Sequence, residues 1–186
     1  MDANTAQRFA RHIQLSAVGP EGQERFAAAR VVVAGRDLAA DIAVTYLRAA
    51  GVGALTELRE LPKDGAEWLT ALDGADVVVR SGFDDDAMMP AAKRLGVAVV
   101  AMRARAEVID VVAQPRRTPE PDAPLGAPAE AAMPPQPGAN AVVAGALAAA
   151  EVLHTLLRSD TGDRRARHLR LPFDGGDPVA QRIGAR

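Results

Sequence analysis

Apolar residues along this chain alternate between two spacings. RVVVAG (30–35) and ADVVVRSG (75–82) are short unbroken apolar runs, as found in strands buried on both faces of a parallel sheet. Between them Leu38, Ile42, Tyr46 or Leu47, and Ala50 recur at helical intervals over 38–50, with Gly51 placed as a C-cap. ALTELREL (54–61) alternates as a second strand, and GAEWLTALD (65–73) reads as a short helix. DDDAMMPAAKRLG (84–96) reads as a helix opened by acids and closed by Gly96. VAVVAMRA (97–104) and EVIDVVAQ (107–114) are two more strands with a short connection. Upstream, Phe9, Ile13 and Leu15 mark one short helix, and GPEGQERFAAA (19–29) a second, started by Pro20. Downstream come a long small-residue helix, ANAVVAGALAAAEVLHTLL (139–157), and a closing strand, ARHLRLPF (166–173). The order predicts an α/β, Rossmann-like fold: a mostly parallel sheet with helices on both faces, preceded by an N-terminal helical segment.

Residues 115–138 break this alternation. They hold eight of the thirteen prolines and hardly any bulky apolar residue, which predicts an exposed, flexible loop inside a single domain spanning 1–186. With 186 residues the chain is long enough to bury a proper core. A formal charge of −2 gives no electrostatic reason to expect nucleic acid or an anionic membrane as partner. The absence of cysteine excludes disulfides, thiolate metal sites and a thiol nucleophile. The most apolar segment, 139–157, is rich in Ala and Gly and carries Glu151 and His154, so a buried helix is expected rather than a membrane span. The start, MDANTAQRFARHIQL, has no apolar stretch like that of a signal peptide, and the expected location is the cytoplasm.

Chemistry centres on the turn after the first strand. A working nucleotide loop uses one glycine for the turn, a second to admit phosphate to the backbone and a third for helix packing. Here only Gly35 remains, with Ala40 small enough to serve in packing. Asp37 puts a carboxylate at the phosphate approach, and Arg36 is the neighbour able to offset its charge. Alone, this strand–Gly–helix signal reads as an empty Rossmann turn. Asp84, Asp85 and Asp86 suit Mg²⁺ chemically, but helix capping explains them more simply and no metal is expected. His12, His154 and His168 show no ligand spacing and are assigned no chemistry. RRARHLR (164–170) is either an anion site or a solvated turn entering a strand, and the turn is preferred.

The flanks make the turn more specific. RFARHIQLSAVGPEGQERFAAARVVVAG, followed by fifteen residues to GVG, resembles the N-terminal half of the ThiF/MoeB/HesA family, relatives of ubiquitin-activating enzymes. Arg8, Phe9, Arg11, Gly19, Gly22, Gln23, Glu24, Gly35, Gly51, Val52 and Gly53 match its pattern. ADVVVRSGFDDD, PQPGANAVVAGALAAAEVLHTLL and ARHLRLPFDG continue the likeness in shortened form. The resemblance implies ATP- and Mg²⁺-dependent adenylation of the C-terminus of a ubiquitin-like or sulfur-carrier protein. It also implies a dimer in which an N-terminal arginine, here Arg11 with Arg8, reaches the neighbouring subunit's site. Several parts depart from the pattern. The inner loop glycines are missing, and the ribose-holding acidic pair falls on Arg59 and Glu60, leaving one acid. Arg80 replaces the first Asp of the third strand, and the magnesium-binding Asp aligns near Phe83 or Asp84. The vestigial nucleotide site is therefore Gly35, Arg36, Asp37, Glu60 and Asp84, with Asp84 and Asp85 the weak metal candidates. The expected function is that of a degenerate, non-adenylating binding or scaffold subunit without cofactor. It would act as a homodimer or with an active ThiF-like paralogue, and a ubiquitin-like or sulfur-carrier protein is the candidate partner. Two alternatives stand beside it: a minimal adenylyltransferase using ATP and Mg²⁺ through Gly35, Arg36 and Asp84, and a peptide-binding module whose Pro-rich loop grips an extended chain.

Overall fold

The computed structural model describes residues 3–82, 87–105, 108–114, 116, 138–158, 166–172 and 177–183. Three helices open the chain, α1 (Ala3–Arg8), α2 (Ala10–Ile13) and α3 (Gly19–Ala28). Then follow β1 (Arg30–Ala34), α4 (Leu38–Ala50), β2 (Ala54–Leu58), α5 (Gly65–Ala71), β3 (Val77–Ser81) and α6 (Met88–Leu95). The remainder is β4 (Ala98–Ala104), β5 (Val108–Gln114), α7 (Ala139–Leu157), β6 (Ala166–Pro172) and β7 (Val179–Ile183). All described strands form one seven-stranded sheet in the order β2-β1-β3-β4-β5-β6-β7. This is the expected α/β, Rossmann-like architecture.

Pairing is parallel from β2 through β4 and antiparallel from β4 through β7. The change follows from loop length. A parallel neighbour needs a crossover of a dozen or more residues, whereas β4 and β5 are joined by the short stretch 105–107 and fold back as a hairpin. The closing strand β7 was not evident from periodicity in the sequence. Helix α6 starts later than its acids suggested: its N-cap is Ala87, no side chain caps it, and its first turn holds no acid. Pro90 fits that first turn, where amide donors have no helical partner anyway. Asp84, Asp85 and Asp86 lie outside the described residues, as does the Pro-rich stretch apart from Arg116 and Gly138.

Alternation along the central strands sorts side chains into two cores. Val31, Val33, Val77, Val79, Val100 and Met102 face α4 and α7. Val32, Ala34, Val78, Val97 and Val99 face the other way, onto Trp68 and Leu72 and the apolar side of α6. Helix α7 is long and apolar enough to cross a membrane by length and composition. In the fold it lies against α4, β4 and β5, burying Ala144, Ala148, Ala149 and Val152. Its close approach to α4 requires Gly145, since a Cβ there would lie 2.4 Å from the Ala39 carbonyl oxygen. Glu151, also on the buried side, is 5 % exposed and 3.3 Å from Arg167 of β6. Burial pushes its carboxyl above the usual range, and Arg167 offsets part of that rise.

Candidate functional site

The residues that carried the family pattern separate into two places at opposite ends of α4. At its C-terminal end Gly51 adopts φ +87° and caps the helix. A Cβ on Gly51 would meet Phe9 Cζ at 2.5 Å and Gln23 Nε2 at 2.7 Å. Gln23 is 1 % exposed and donates to the Ala50 carbonyl at 2.9 Å. Its amide oxygen faces His12 Nδ1 at 3.3 Å, so that nitrogen carries the proton. His12 stacks on Phe9 with ring centroids 5.9 Å apart, and the Arg8 guanidinium lies 5.0 Å from the Phe9 ring centre. Gly53 packs against the Ala27 backbone, where a Cβ would approach the carbonyl oxygen to 1.8 Å. These matches are therefore structural: they dock the N-terminal arm and α3 onto the base of α4. Gln23 had been matched in the sequence but given no role. Its burial is what reveals one.

At the other end of α4 is the turn. The chain runs from β1 to β2 on one side and then to β3 on the other. That order leaves a crevice beyond the C-terminal ends of β1 and β3, the usual place for ligands in open α/β sheets. Gly35, with φ +154°, lies there. A Cβ on it would be 2.9 Å from Ser81 Cβ and 3.2 Å from Ala40 Cβ, so both the turn and its packing require glycine. Asp37 is the N-cap of α4. One carboxylate oxygen accepts from the Ala40 amide at 2.9 Å, and the other accepts the Ser81 hydroxyl. The carboxylate thus takes a free amide of the helix start and neutralises part of its positive dipole, the two features that would otherwise attract phosphate. Arg36 points to solvent. Arg80, 8 % exposed, donates to the Ser81 carbonyl beside the same turn.

The Gly35 amide donates to the Leu58 carbonyl at 3.0 Å, so the end of β2 lies next to the turn and Glu60 follows it, exposed. Its neighbour Arg59 is engaged by Glu57 and Asp41, both of which raise its pKa, with Asp41 first. The structure therefore brings Gly35, Arg36, Asp37 and Glu60 to one end of the sheet, together with Arg80 and Ser81, a partner that the sequence did not single out. Asp84 and Asp85 are outside the described residues. Arg8 and Arg11 belong to the other end. Helix α4 has 13 residues, roughly 20 Å at 1.5 Å per residue, further than an arginine side chain reaches. Arg11 is exposed, and its neighbours Phe9 and His12 are held at the α4 C-terminus. Among the described residues no group of three or more His, Asp or Glu side chains is arranged to hold a metal ion.

No family model matches the chain. A 55-residue stretch is 47 % identical to the SAMP-activating enzyme E1 of Haloferax volcanii, covering 30 % of this chain and 20 % of that protein. The chain thus spans about a fifth of the length of that curated relative. Whole-chain similarity comes from structure. PaaA superposes over 98 % of this chain and 84 % of its own, with TM-score 0.73 and 10 % identity. E. coli MccB crystallised with ATP covers 100 % of this chain and 72 % of its own, with TM-score 0.70 and 14 % identity. MccB with MccA-N7isoASN gives TM-score 0.70 and 15 % identity over 98 % and 73 % of the two chains. Over 55 residues the sequence is thus similar to an E1, and over nearly its whole described length the chain has the fold of PaaA and MccB.

Proposed function

We propose that this protein is a non-adenylating E1-like subunit that binds a partner instead of activating one. The observation that carries this is Asp37. Its carboxylate occupies the helix start where the nucleotide phosphates of an adenylating relative would approach. A phosphate at about 4 Å from that carboxylate would be repelled by about 4 kcal/mol per pair of unit charges at an effective dielectric of 20. That is close to a thousandfold in affinity. Glu60 as the one acid of the pair at 59–60, and Arg80 in place of an acid at the end of β3, weaken ribose and metal binding further.

The partner chemistry follows from the relatives. One is named for activating SAMP and another is crystallised with MccA, so a ubiquitin-like or other small carrier polypeptide is the candidate for this chain. Assembly as a dimer, with itself or with an active paralogue, completes the proposal: Arg11 sits too far from its own turn to act there and is presented to a neighbour. The test is calorimetry of the full chain with ATP and Mg²⁺, paired with a carrier-dependent pyrophosphate-exchange assay. No saturable heat at millimolar ATP and no exchange are expected. Saturable binding with exchange would replace this proposal with the minimal adenylyltransferase.

A further inference from the structure

Of the basic stretch entering β6, Arg164 and Arg165 lie outside the described residues, and the rest is not one surface. The sheet register divides it. Arg167 turns toward α7 and Glu151, while His168 and Arg170 lie on the opposite face with Asp110 of β5. Asp110 is 5 % exposed, an unusually buried carboxylate. Its Oδ1 accepts from His168 Nε2 at 2.9 Å and lies 3.3 Å from Arg170 Nε. The Arg170 side chain is 48 % exposed and that of His168 is 26 % exposed. Arg103 of β4 is the cross-strand neighbour of Asp110 on its other side. No described helix packs on this face of β5 and β6, since α7 covers the other one.

We propose that Arg170 and His168, braced by Asp110, form a binding site for a carboxylate, supplied by an acidic side chain of a protein partner. Asp110 lies beside the ε nitrogen of Arg170, and the guanidinium, about half exposed, remains accessible to a ligand. Two parallel N–H groups in a plane match a carboxylate in bidentate geometry. His168 donates Nε2–H to Asp110, and its partly exposed ring flanks the same ligand. Charge selects between anions. Arg103 and Arg170 flank the single carboxylate of Asp110, so the cluster has one net positive charge, which one bound carboxylate neutralises. A phosphate dianion would leave a further negative charge beside a buried carboxylate. The site stands apart from the Gly35 turn and holds whether or not the chain adenylates.

The test is a titration of the ¹⁵N-labelled full chain at constant ionic strength with hexaglutamate, hexaglutamine and inorganic phosphate, each alone. Saturable shifts of the Arg170 Nε–H and His168 ring signals are expected with hexaglutamate and not with hexaglutamine. Arg170→Lys keeps the charge but loses the fork, and is expected to weaken binding about tenfold. His168→Gln is expected to weaken it less, and Arg48→Lys, a surface pair elsewhere, to leave it unchanged. Absence of a saturable shift, equal binding of phosphate, or wild-type affinity in Arg170→Lys would each overturn the proposal.

Discussion

Asp37 holds the start of α4 through two bonds at once, and its removal separates them. Asp37→Ala is expected to destabilise the protein by about 1 kcal/mol, the usual worth of an N-cap. Ser81→Ala should cost less, and the double variant should fall short of the sum, because both singles break the same contact. Urea denaturation of the four proteins measures this; strict additivity would mean that the Ser81 bond is energetically idle. Glu151 offers a test by pH. Burial raises its folded pKa above the unfolded one, so the folded state holds the proton more readily. Its contribution to stability is then fully present below the ordinary glutamate range and is lost as pH rises through the folded value. Glu151→Gln, which is neutral throughout, is expected to show its greatest gain over the wild type at neutral pH and above. The gain should shrink as the pH falls toward 4, near the ordinary glutamate value of 4.5. Melting curves across that range check the sign.

Helix α4 is gripped at both ends and along one side, and glycines set each contact. Gly53→Ala pushes a methyl group into the Ala27 backbone, and Gly145→Ala pushes one into α4. Each is expected to lower stability by about 1–3 kcal/mol as overpacking, whereas Gly65→Ala, with open space around it, should be nearly silent. Equal melting temperatures for Gly145→Ala and wild type would show that α7 can slide away from α4. These helices were readable from the sequence: α4 and α7 have the boundaries their periodicity gave, down to the Gly51 cap. The hairpin of β4 and β5 was readable only as two strands, because direction depends on connection length and not on apolar spacing. Likewise the turn at Gly35 was plain, but Ser81 as the partner of Asp37 was not. The two are 44 residues apart, and only parallel pairing of β1 with β3 brings them together. Asp110, His168 and Arg170 were hidden for the same reason, since their contact exists only in the β5–β6 register.

Taken whole, the molecule has one sheet with two temperaments: a parallel half carrying the closed turn, and an antiparallel half carrying the Asp110 cluster. The N-terminal arm is fixed at the far end of α4 from the turn, which makes assembly the decisive property for Arg11. Sedimentation of the purified chain is expected to give a dimer at tens of micromolar. If an active paralogue is the partner, Arg11→Ala should lower that partner's adenylation rate without weakening assembly. In a homodimer the same change should be nearly silent. A monomer that also fails to associate with any paralogue would remove the in-trans role. The closed turn carries one further consequence, for descent. If, as proposed, one carboxylate both caps α4 and bars phosphate, a descendant that exchanged Asp37 for glycine would lose the side-chain cap at once and regain no chemistry until Arg59 and Arg80 had changed as well. No first step back would restore anything by itself, so the proposed loss of nucleotide would behave as a ratchet: a lineage past it is free to innovate elsewhere on the scaffold, but not to return by single mutations.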